Sequence, residues 1–188
     1  MPKSGSRFSA ETTRQQAASV LNAGPLIVTA LFGAGDDGWI QALRQTHYPP
    51  DLNRVPAHLT LFRHLPPSLE AELSARLAAA TAAPPPPAEV AGIVDLGEGT
   101  ALRVESDALI EIRESLAEAF HGLLMPQDRV PWRPHITIQN KVAPRDARRL
   151  QQQLRATFER RPLAIRALAS WRYQGGPWEK LKTHPFRR

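Results

Sequence analysis

The sequence has no cysteine among its 188 residues. This absence excludes disulfide bonds, thiolate metal sites and a cysteine nucleophile. Its apolar runs are short, as in residues 25–32, and the first 24 residues lack the continuous apolar core of a signal peptide. No His, Asp and Glu cluster has the spacing of a metal site, and no Gly-x-x-x-x-Gly-Lys phosphate loop is present. We therefore expect a soluble, cytoplasmic protein with no membrane contact, no metal and no other cofactor.

Acidic residues are the smaller charged class, because 18 Asp and Glu stand against 24 Lys and Arg. The formal net charge of +6 and the pI near 10.5 favour anionic partners such as RNA, nucleotides and phosphates. High-GC coding alone also produces a sequence rich in Ala, Pro and Arg, and the extra arginines then give a positive charge whatever the partner is. Charge alone therefore leaves the partner undecided.

The length and the hydrophobic content of 42% suit one compact domain or two small lobes that share a core. Residues 1–24 are polar and small and stop at a Gly-Pro pair, which predicts a flexible N-terminal extension. Residues 25–188 are predicted to form a single folded domain, and we expect a monomer.

Hydrophobic periodicity predicts elements in the order β α β α β β α β α β β. The strands are predicted at about 26–32, 57–65, 89–96, 100–105, 135–139, 163–173 and 178–183. The helices are predicted to begin at Asp36 or Asp37, at Ser68, at Ser106 or Asp107 and near Pro144, and Pro162 marks the end of the last one. Strands interleaved with amphipathic helices indicate an α+β architecture in which the helices cover the outer faces.

Two short segments, PAHLTLF at 56–62 and PHITIQ at 134–139, each place a histidine and a threonine two residues apart. Successive side chains of a strand point to opposite faces, so His58, Thr60 and Phe62 are predicted to share one face. The leucines between them are predicted to face the core.

The second segment has the same alternation, with His135, Thr137 and Gln139 on one face and two isoleucines on the other. Lys141 continues the polar side, and we expect Gln139 and Lys141 to contact substrate there. Buried polar groups cost free energy unless they have partners, so such a face is predicted to line a wet cleft. A single motif of this kind is typical of a strand with one solvated face. The second copy favours a functional pair.

Two imidazoles in one cleft suit in-line attack at phosphorus, in which one removes the proton of the attacking oxygen and the other protonates the departing oxygen. Histidine suits both roles because its ordinary pKa of about 6.5 lies near neutrality. The threonine hydroxyls can donate hydrogen bonds to phosphate oxygens, a role also open to Lys141. The scheme requires no metal, and the sequence does not assign which histidine is the base.

Paired His-Φ-Thr-Φ strands about half a domain apart, where Φ is hydrophobic, resemble the signature of the 2H phosphoesterase superfamily. The segments PAHLTLF, PHITIQNKV and WRYQGGPW look most like its bacterial 2'-5' RNA ligase-like branch. The resemblance extends over about residues 25–186. It implies a bilobal α+β fold with pseudo-twofold symmetry, in which two antiparallel sheets line a central cleft and the helices lie outside.

The resemblance also implies cyclic phosphodiesterase activity on 2',3'-cyclic phosphate ends of RNA or of nucleotides, and reversible 2'-5' RNA ligation without ATP. Carried over by position, His58 and His135 become the acid and base pair. Thr60 and Thr137 become the donors to the phosphate oxygens.

Four residues outside the motifs are further candidates for substrate contact. Trp171 and Tyr173 alternate on one strand, where they either stack on a nucleobase or pack in the core. Trp132 and Arg133 lie in the loop before the second motif, where an indole can cover a base and a guanidinium can meet a phosphate.

Two other functions stay open at this point. The same cleft could bind an RNA end or a nucleotide without turnover. It could also act as a phosphodiesterase on a small cyclic nucleotide or an ADP-ribose derivative. Turnover of a cyclic-phosphate-ended oligonucleotide and of a 2',3'-cyclic nucleotide distinguishes these alternatives.

Overall fold

The computed structural model describes residues 24–187. The predicted N-terminal extension lies outside these residues apart from Gly24, so its extent stays a prediction. The strands are β1 (Leu26–Phe32), β2 (Leu59–Leu65), β3 (Glu89–Asp95), β4 (Thr100–Glu105), β5 (His135–Gln139), β6 (Arg161–Pro162), β7 (Ile165–Tyr173) and β8 (Trp178–Pro185). The helices are α1 (Ala34–His47), α2 (Glu70–Ala80), α3 (Asp107–Ala119), α4 (Pro126–Arg129) and α5 (Pro144–Ala156).

The strands form two four-stranded sheets in which all neighbours are antiparallel. The first has the order β2-β1-β7-β8 and the second the order β5-β4-β3-β6. The two edge strands β2 and β5 lie against each other, and α1 also packs on β5. Leu59 of β2 and Ile136 of β5 are fully buried in a core that both sheets share. The predicted α+β architecture with two antiparallel sheets is confirmed.

The predicted helix starts are right at Ser106 and near Pro144 and wrong at Asp36 or Asp37. The hydroxyl of Ser106 accepts the N–H of Leu109 at 3.2 Å and caps α3, as its sequence position predicts. Helix α1 begins at Ala34, before the predicted cap. The carboxylate of Asp36 instead accepts the backbone N–H of Ala164 at 2.9 Å and pairs with Arg161 at 3.0 Å. The Asp36 carboxylate is therefore bonded to residues distant in sequence and does not cap α1.

A one-residue bulge interrupts β2 directly after its motif threonine. Thr60 pairs with Thr29 of β1, whereas the next pair joins Phe62 to Val28, which leaves Leu61 without a partner. A bulge reverses the alternation of side chains beyond it. Phe62 is therefore fully buried, and the prediction that it shares the exposed face of Thr60 is wrong.

Strand β5 has the same bulge at the equivalent position. Thr137 pairs with Ala101 of β4, and the next pair joins Gln139 to Thr100, which leaves Ile138 unpaired. Gln139 is only 7% exposed, and its Oε1 accepts the hydroxyl of Thr100 at 3.3 Å. The predicted placement of Gln139 on the cleft face is therefore wrong. In both strands the bulge ends the polar face at the threonine.

Candidate active site

A cleft of about 430 Å³ opens where the two edge strands meet. His58, immediately before β2, and Thr60 line it from one side, and Thr137 of β5 lines it from the other. His135 lies in an adjoining cavity that shares Thr60 with the cleft. The structure thus brings the predicted catalytic and phosphate-binding residues of both motifs together.

The two histidines are held by the same backbone device. Nδ1 of His58 is 2.7 Å from the carbonyl oxygen of Pro56, and Nδ1 of His135 is 2.8 Å from the carbonyl oxygen of Arg133. A carbonyl oxygen only accepts, so Nδ1 carries the proton in each neutral ring. This tautomer leaves Nε2 as the basic atom of both imidazoles. Each ring is oriented by the residue two positions before it.

The charge state of His58 is set by its surroundings. Burial lowers the pKa of His58 from its ordinary value to about 4, an effect that the bond to the Pro56 carbonyl partly offsets. The nearby charges of Arg44 and His135 lower this pKa further. His58 is therefore neutral at physiological pH, with its Nε2 lone pair free to accept a proton.

The hydroxyls of the motif threonines are available to a ligand. Thr60 and Thr137 are half-buried and both line the cleft. Among residues 24–187 neither hydroxyl forms a hydrogen bond to another protein group. A polar group at a cleft wall without an internal partner is suited to bind an oxyanion.

Each motif strand is held by a side chain from the opposite half of the chain. The indole Nε1 of Trp132, from the loop before β5, donates to the carbonyl of Thr60 at 2.9 Å. A guanidinium nitrogen of Arg44, from α1, donates to the carbonyl of Thr137 at 2.7 Å. Edge strands have outward carbonyls without a strand partner, so these bonds satisfy groups that would otherwise need water. The two bonds fix the motifs relative to each other.

Arg44 is a residue of the site that the motif pattern does not indicate. It is 4% exposed and also donates to Oδ1 of Asn53 at 2.6 Å and to the carbonyl of Val55 at 2.9 Å. These acceptors are neutral, as is the carbonyl of Thr137. Burial lowers the pKa of Arg44 from its ordinary value, but a guanidinium stays charged in proteins. The cleft wall therefore contains a buried positive charge.

Aromatic side chains form the wall beside His58. The ring of Trp178 lies 4.8 Å from the imidazole of His58, measured between centroids, and Tyr173 is 39% exposed at the cleft. Trp171 is only 4% exposed, and its Nε1 donates to the hydroxyl of Thr29 at 2.8 Å. Of the two alternatives for Trp171, the structure therefore favours packing in the core. The centroid of its ring lies 6.1 Å from that of Trp178, and the two rings are arranged edge to face.

The remaining predicted substrate contacts, Lys141 and Arg133, do not line the cleft itself. Lys141 is exposed in a turn with a φ of 57°, and its backbone N–H donates to Oδ1 of Asn140 at 2.9 Å. Asn140 rather than Lys141 lines the cleft. Arg133 is exposed and lines the adjoining cavity together with His135. Among residues 24–187 no three His, Asp or Glu side chains gather as a metal site requires.

A family model described as the 2'-5' RNA ligase superfamily matches residues 34–177. The match covers both motif strands and most of the chain. This chain belongs to the 2'-5' RNA ligase superfamily. The resemblance that the two motifs indicate is thereby confirmed at the level of the superfamily, whose members are phosphoesterases and ligases.

Solved structures of other proteins share the fold of this 2'-5' RNA ligase superfamily member. TT0787 of Thermus thermophilus aligns with a TM-score of 0.63 at 18% identity, over 87% of this chain and 98% of that one. LigT of E. coli complexed with 3'-AMP aligns with a TM-score of 0.57 at 16% identity, over 89% and 100%. At these identities the likeness concerns the fold. A comparison with curated protein sequences gives no match.

Within the described range, no helix of this superfamily member has the length and apolar character that a bilayer crossing requires.

Proposed function

We propose that this cleft opens 2',3'-cyclic phosphate ends of RNA or of nucleotides, with His58 as general base and His135 as general acid. One observation carries the proposal. Two imidazoles, each with Nδ1 bonded to a backbone carbonyl and with no partner at Nε2 among residues 24–187, lie beside threonine hydroxyls on two edge strands that meet. Two such groups with separate protonation states are what in-line displacement at phosphorus uses.

The low pKa of His58 supports its role as the base. Above about pH 4 its ring is neutral, so Nε2 can accept a proton from the attacking water. The water oxygen then forms a bond to phosphorus as the bond from phosphorus to a ribose oxygen breaks. His135 enters this step as the imidazolium, with Nδ1–H bonded to the carbonyl of Arg133, and gives its Nε2 proton to that ribose oxygen. The products are a ribose phosphate monoester and a neutral His135, and the proton taken up by His58 restores the pair through solvent. A 5'-hydroxyl in place of water gives 2'-5' ligation by the same steps.

Thr60 and Thr137 are proposed to hold the phosphate oxygens that do not react. Their hydroxyls line the cleft from opposite sides, and the buried charge of Arg44 favours an anion between them. The relatives support a ligand of this class, because LigT of E. coli has been crystallised with 3'-AMP and with phosphate. Tyr173 and Trp178 offer aromatic surface on which a nucleobase can stack.

The direct test is turnover of a 2',3'-cyclic mononucleotide and of an oligonucleotide with a 2',3'-cyclic phosphate end, both in EDTA. We expect a phosphate monoester from both, detected by phosphorus NMR. Binding of either substrate without turnover would instead support an RNA-end or nucleotide-binding module. Turnover that EDTA abolishes would contradict the metal-independent mechanism.

Removing the threonine hydroxyls is expected to slow turnover without disturbing the fold. The substitutions Thr60→Val and Thr137→Val keep the shape of the side chain and remove one donor each. Loss of one preorganised donor typically costs about 10²-fold in kcat, and partial solvent access places the expected loss here at about 10- to 100-fold. Thr157→Val, at the C-terminal end of α5 and away from the cleft, is the matched control. Unchanged kcat in both motif variants would remove the threonines from the mechanism.

The pH dependence of kcat/KM is expected to show the unusual pKa of His58. The base must be neutral, and its pKa is lowered to about 4, so the acid limb is expected near pH 4 instead of near 6.5. Bound phosphate stabilises the protonated ring, so the acid limb of kcat is expected at higher pH than that of kcat/KM. A limb of kcat/KM near pH 6.5 that disappears in His58→Gln would contradict the proposed surroundings of His58.

A further inference from the structure

Open space next to the cleft extends the candidate site beyond His58 and the motif threonines. A second cavity of about 430 Å³ adjoins it, and the two share Thr60 and Arg63. His135 and Arg133 line this second cavity and are absent from the lining of the first. A substrate whose reacting phosphate lies between the two motifs therefore has a second open space next to Thr60 and Arg63.

The second cavity has a surplus of positive charge. Arg63 and Arg133 are exposed, and within residues 24–187 neither guanidinium pairs with a carboxylate. The one carboxylate of the wall, Asp128, is 4% exposed and accepts the backbone N–H groups of Arg63 and His64 at 3.0 to 3.1 Å. Both oxygens of this carboxylate are thus bonded to the backbone of β2.

The third guanidinium that lines the second cavity, that of Arg113, already has partners within the protein. Arg113 is 7% exposed, donates to the backbone carbonyl of Asp128, and lies over the ring of Phe62 at 4.8 Å. The charges of Arg113 and Asp128 therefore offset each other within the wall. The two guanidinium groups left for a ligand are those of Arg63 and Arg133.

The loop that bears Arg133 is fixed on both sides. Trp132 donates to the carbonyl of Thr60, and the carbonyl of Arg133 itself accepts Nδ1–H of His135. Asp128, in the short helix α4 that precedes this loop, is anchored to the backbone of β2. The backbone of Arg133 is thus held at a set position beside the general acid, and its side chain lines the cavity.

We propose that Arg63 and Arg133 bind an internucleotide phosphate of an RNA strand whose reacting phosphate lies between His58 and His135. This inference rests on the proposed function and narrows it to a polynucleotide substrate. A planar guanidinium matches two phosphate oxygens, which makes arginine suited to this contact. Val130, 57% exposed in the same wall, offers apolar surface to the sugar or base between the phosphates. A mononucleotide has no second phosphate to reach this site.

The test compares two substrates across three proteins. The substrates are a 2',3'-cyclic mononucleotide and a trinucleotide with the same cyclic end. The proteins are the wild type, Arg133→Ala and Arg148→Ala, where Arg148 is an exposed arginine on α5 outside both cavities. Arg133→Ala keeps the backbone carbonyl that orients His135. We expect the wild type to favour the trinucleotide about tenfold in kcat/KM, mainly through KM.

In Arg133→Ala this preference is expected to fall to about twofold. The negative slope of log kcat/KM against log salt for the trinucleotide is expected to become shallower by about 0.7 to 1. Arg148→Ala is expected to retain all of the preference, and a fourth protein, Arg133→Lys, is expected to retain part of it. An equal loss for both substrates in Arg133→Ala, or a preference that survives it, overturns the proposed phosphate site.

A failure of the proposed function would look different from a failure of this inference. If neither substrate is turned over, the same three proteins are compared by the fluorescence anisotropy of a labelled trinucleotide. Binding that Arg133→Ala weakens about tenfold supports the phosphate site even then. Binding that is equal in all three proteins overturns it.

Discussion

Replacing either His58 or His135 by glutamine is expected to lower kcat by about 10²- to 10⁴-fold, the usual contribution of a general acid or base. Glutamine approximates the size and hydrogen-bonding character of the imidazole, but it neither accepts nor releases a proton near neutrality. Because each ring is held by a backbone carbonyl, the loss is expected in kcat with little change in KM. The measurement is steady-state turnover of the 2',3'-cyclic mononucleotide.

The two histidine variants should also fail in distinguishable ways. His58→Gln is expected to remove the acid limb of the pH profile near pH 4, whereas His135→Gln is expected to lower kcat and keep that limb. Residues that act on one transition state are not additive, so the double variant is expected to be only slightly slower than either single one. His121→Gln, an exposed histidine after α3, is the matched control. Turnover within about threefold of wild type in either motif variant would contradict the mechanism.

The paired motifs were predictable because they depend on local pattern alone. Alternation in a strand separates a polar face from a buried one, and the full burial of Leu59 and Ile136 shows that this reasoning holds up to each threonine. It fails one residue later, at Phe62 and Gln139. A bulge is a property of the pairing between strands, and nothing in either single strand sequence specifies it.

The side chains that assemble the site were harder to predict. Arg44 lies four residues after Ile40, so both fall on the buried face of α1, and this spacing indicates a buried arginine. Its acceptor, the carbonyl of Thr137, is 93 residues away in sequence. Trp178 likewise reaches His58 only because β7 of the β7–β8 hairpin pairs with β1 in the sheet that also contains β2. Such contacts depend on tertiary structure, which helix and strand periods do not encode.

The two halves of the site match in more than their motifs. In each half a carbonyl two residues before the histidine fixes the ring, and a bulge follows the threonine. In each, a side chain from the other half donates to the threonine carbonyl. The donors differ, however, because one is a charged guanidinium and the other a neutral indole. Variants of Arg44 and Trp132 therefore distinguish the effect of positioning a motif strand from the effect of a buried positive charge.

Arg44→Met is therefore expected to lower kcat by about 10- to 100-fold. It leaves the carbonyls of Thr137 and Val55 and the amide of Asn53 without their donor, and each buried unsatisfied group costs about 1 to 3 kcal/mol. It also removes a positive charge that lowers the pKa of His58. The acid limb of kcat/KM is accordingly expected to move to higher pH.

Trp132→Phe is the matched variant, because it removes only the indole N–H that holds the carbonyl of Thr60 and changes no charge. We expect it to lower kcat about three- to tenfold and to leave the acid limb of kcat/KM in place. Arg44→Lys retains the charge without the planar fork, so its limb is expected to stay near that of the wild type while its kcat falls. If Arg44→Met and Trp132→Phe gave the same pH profile, the charge of Arg44 would have no part in setting the state of His58. Its effect on kcat would then come only from the hydrogen bonds that join α1 to the second motif.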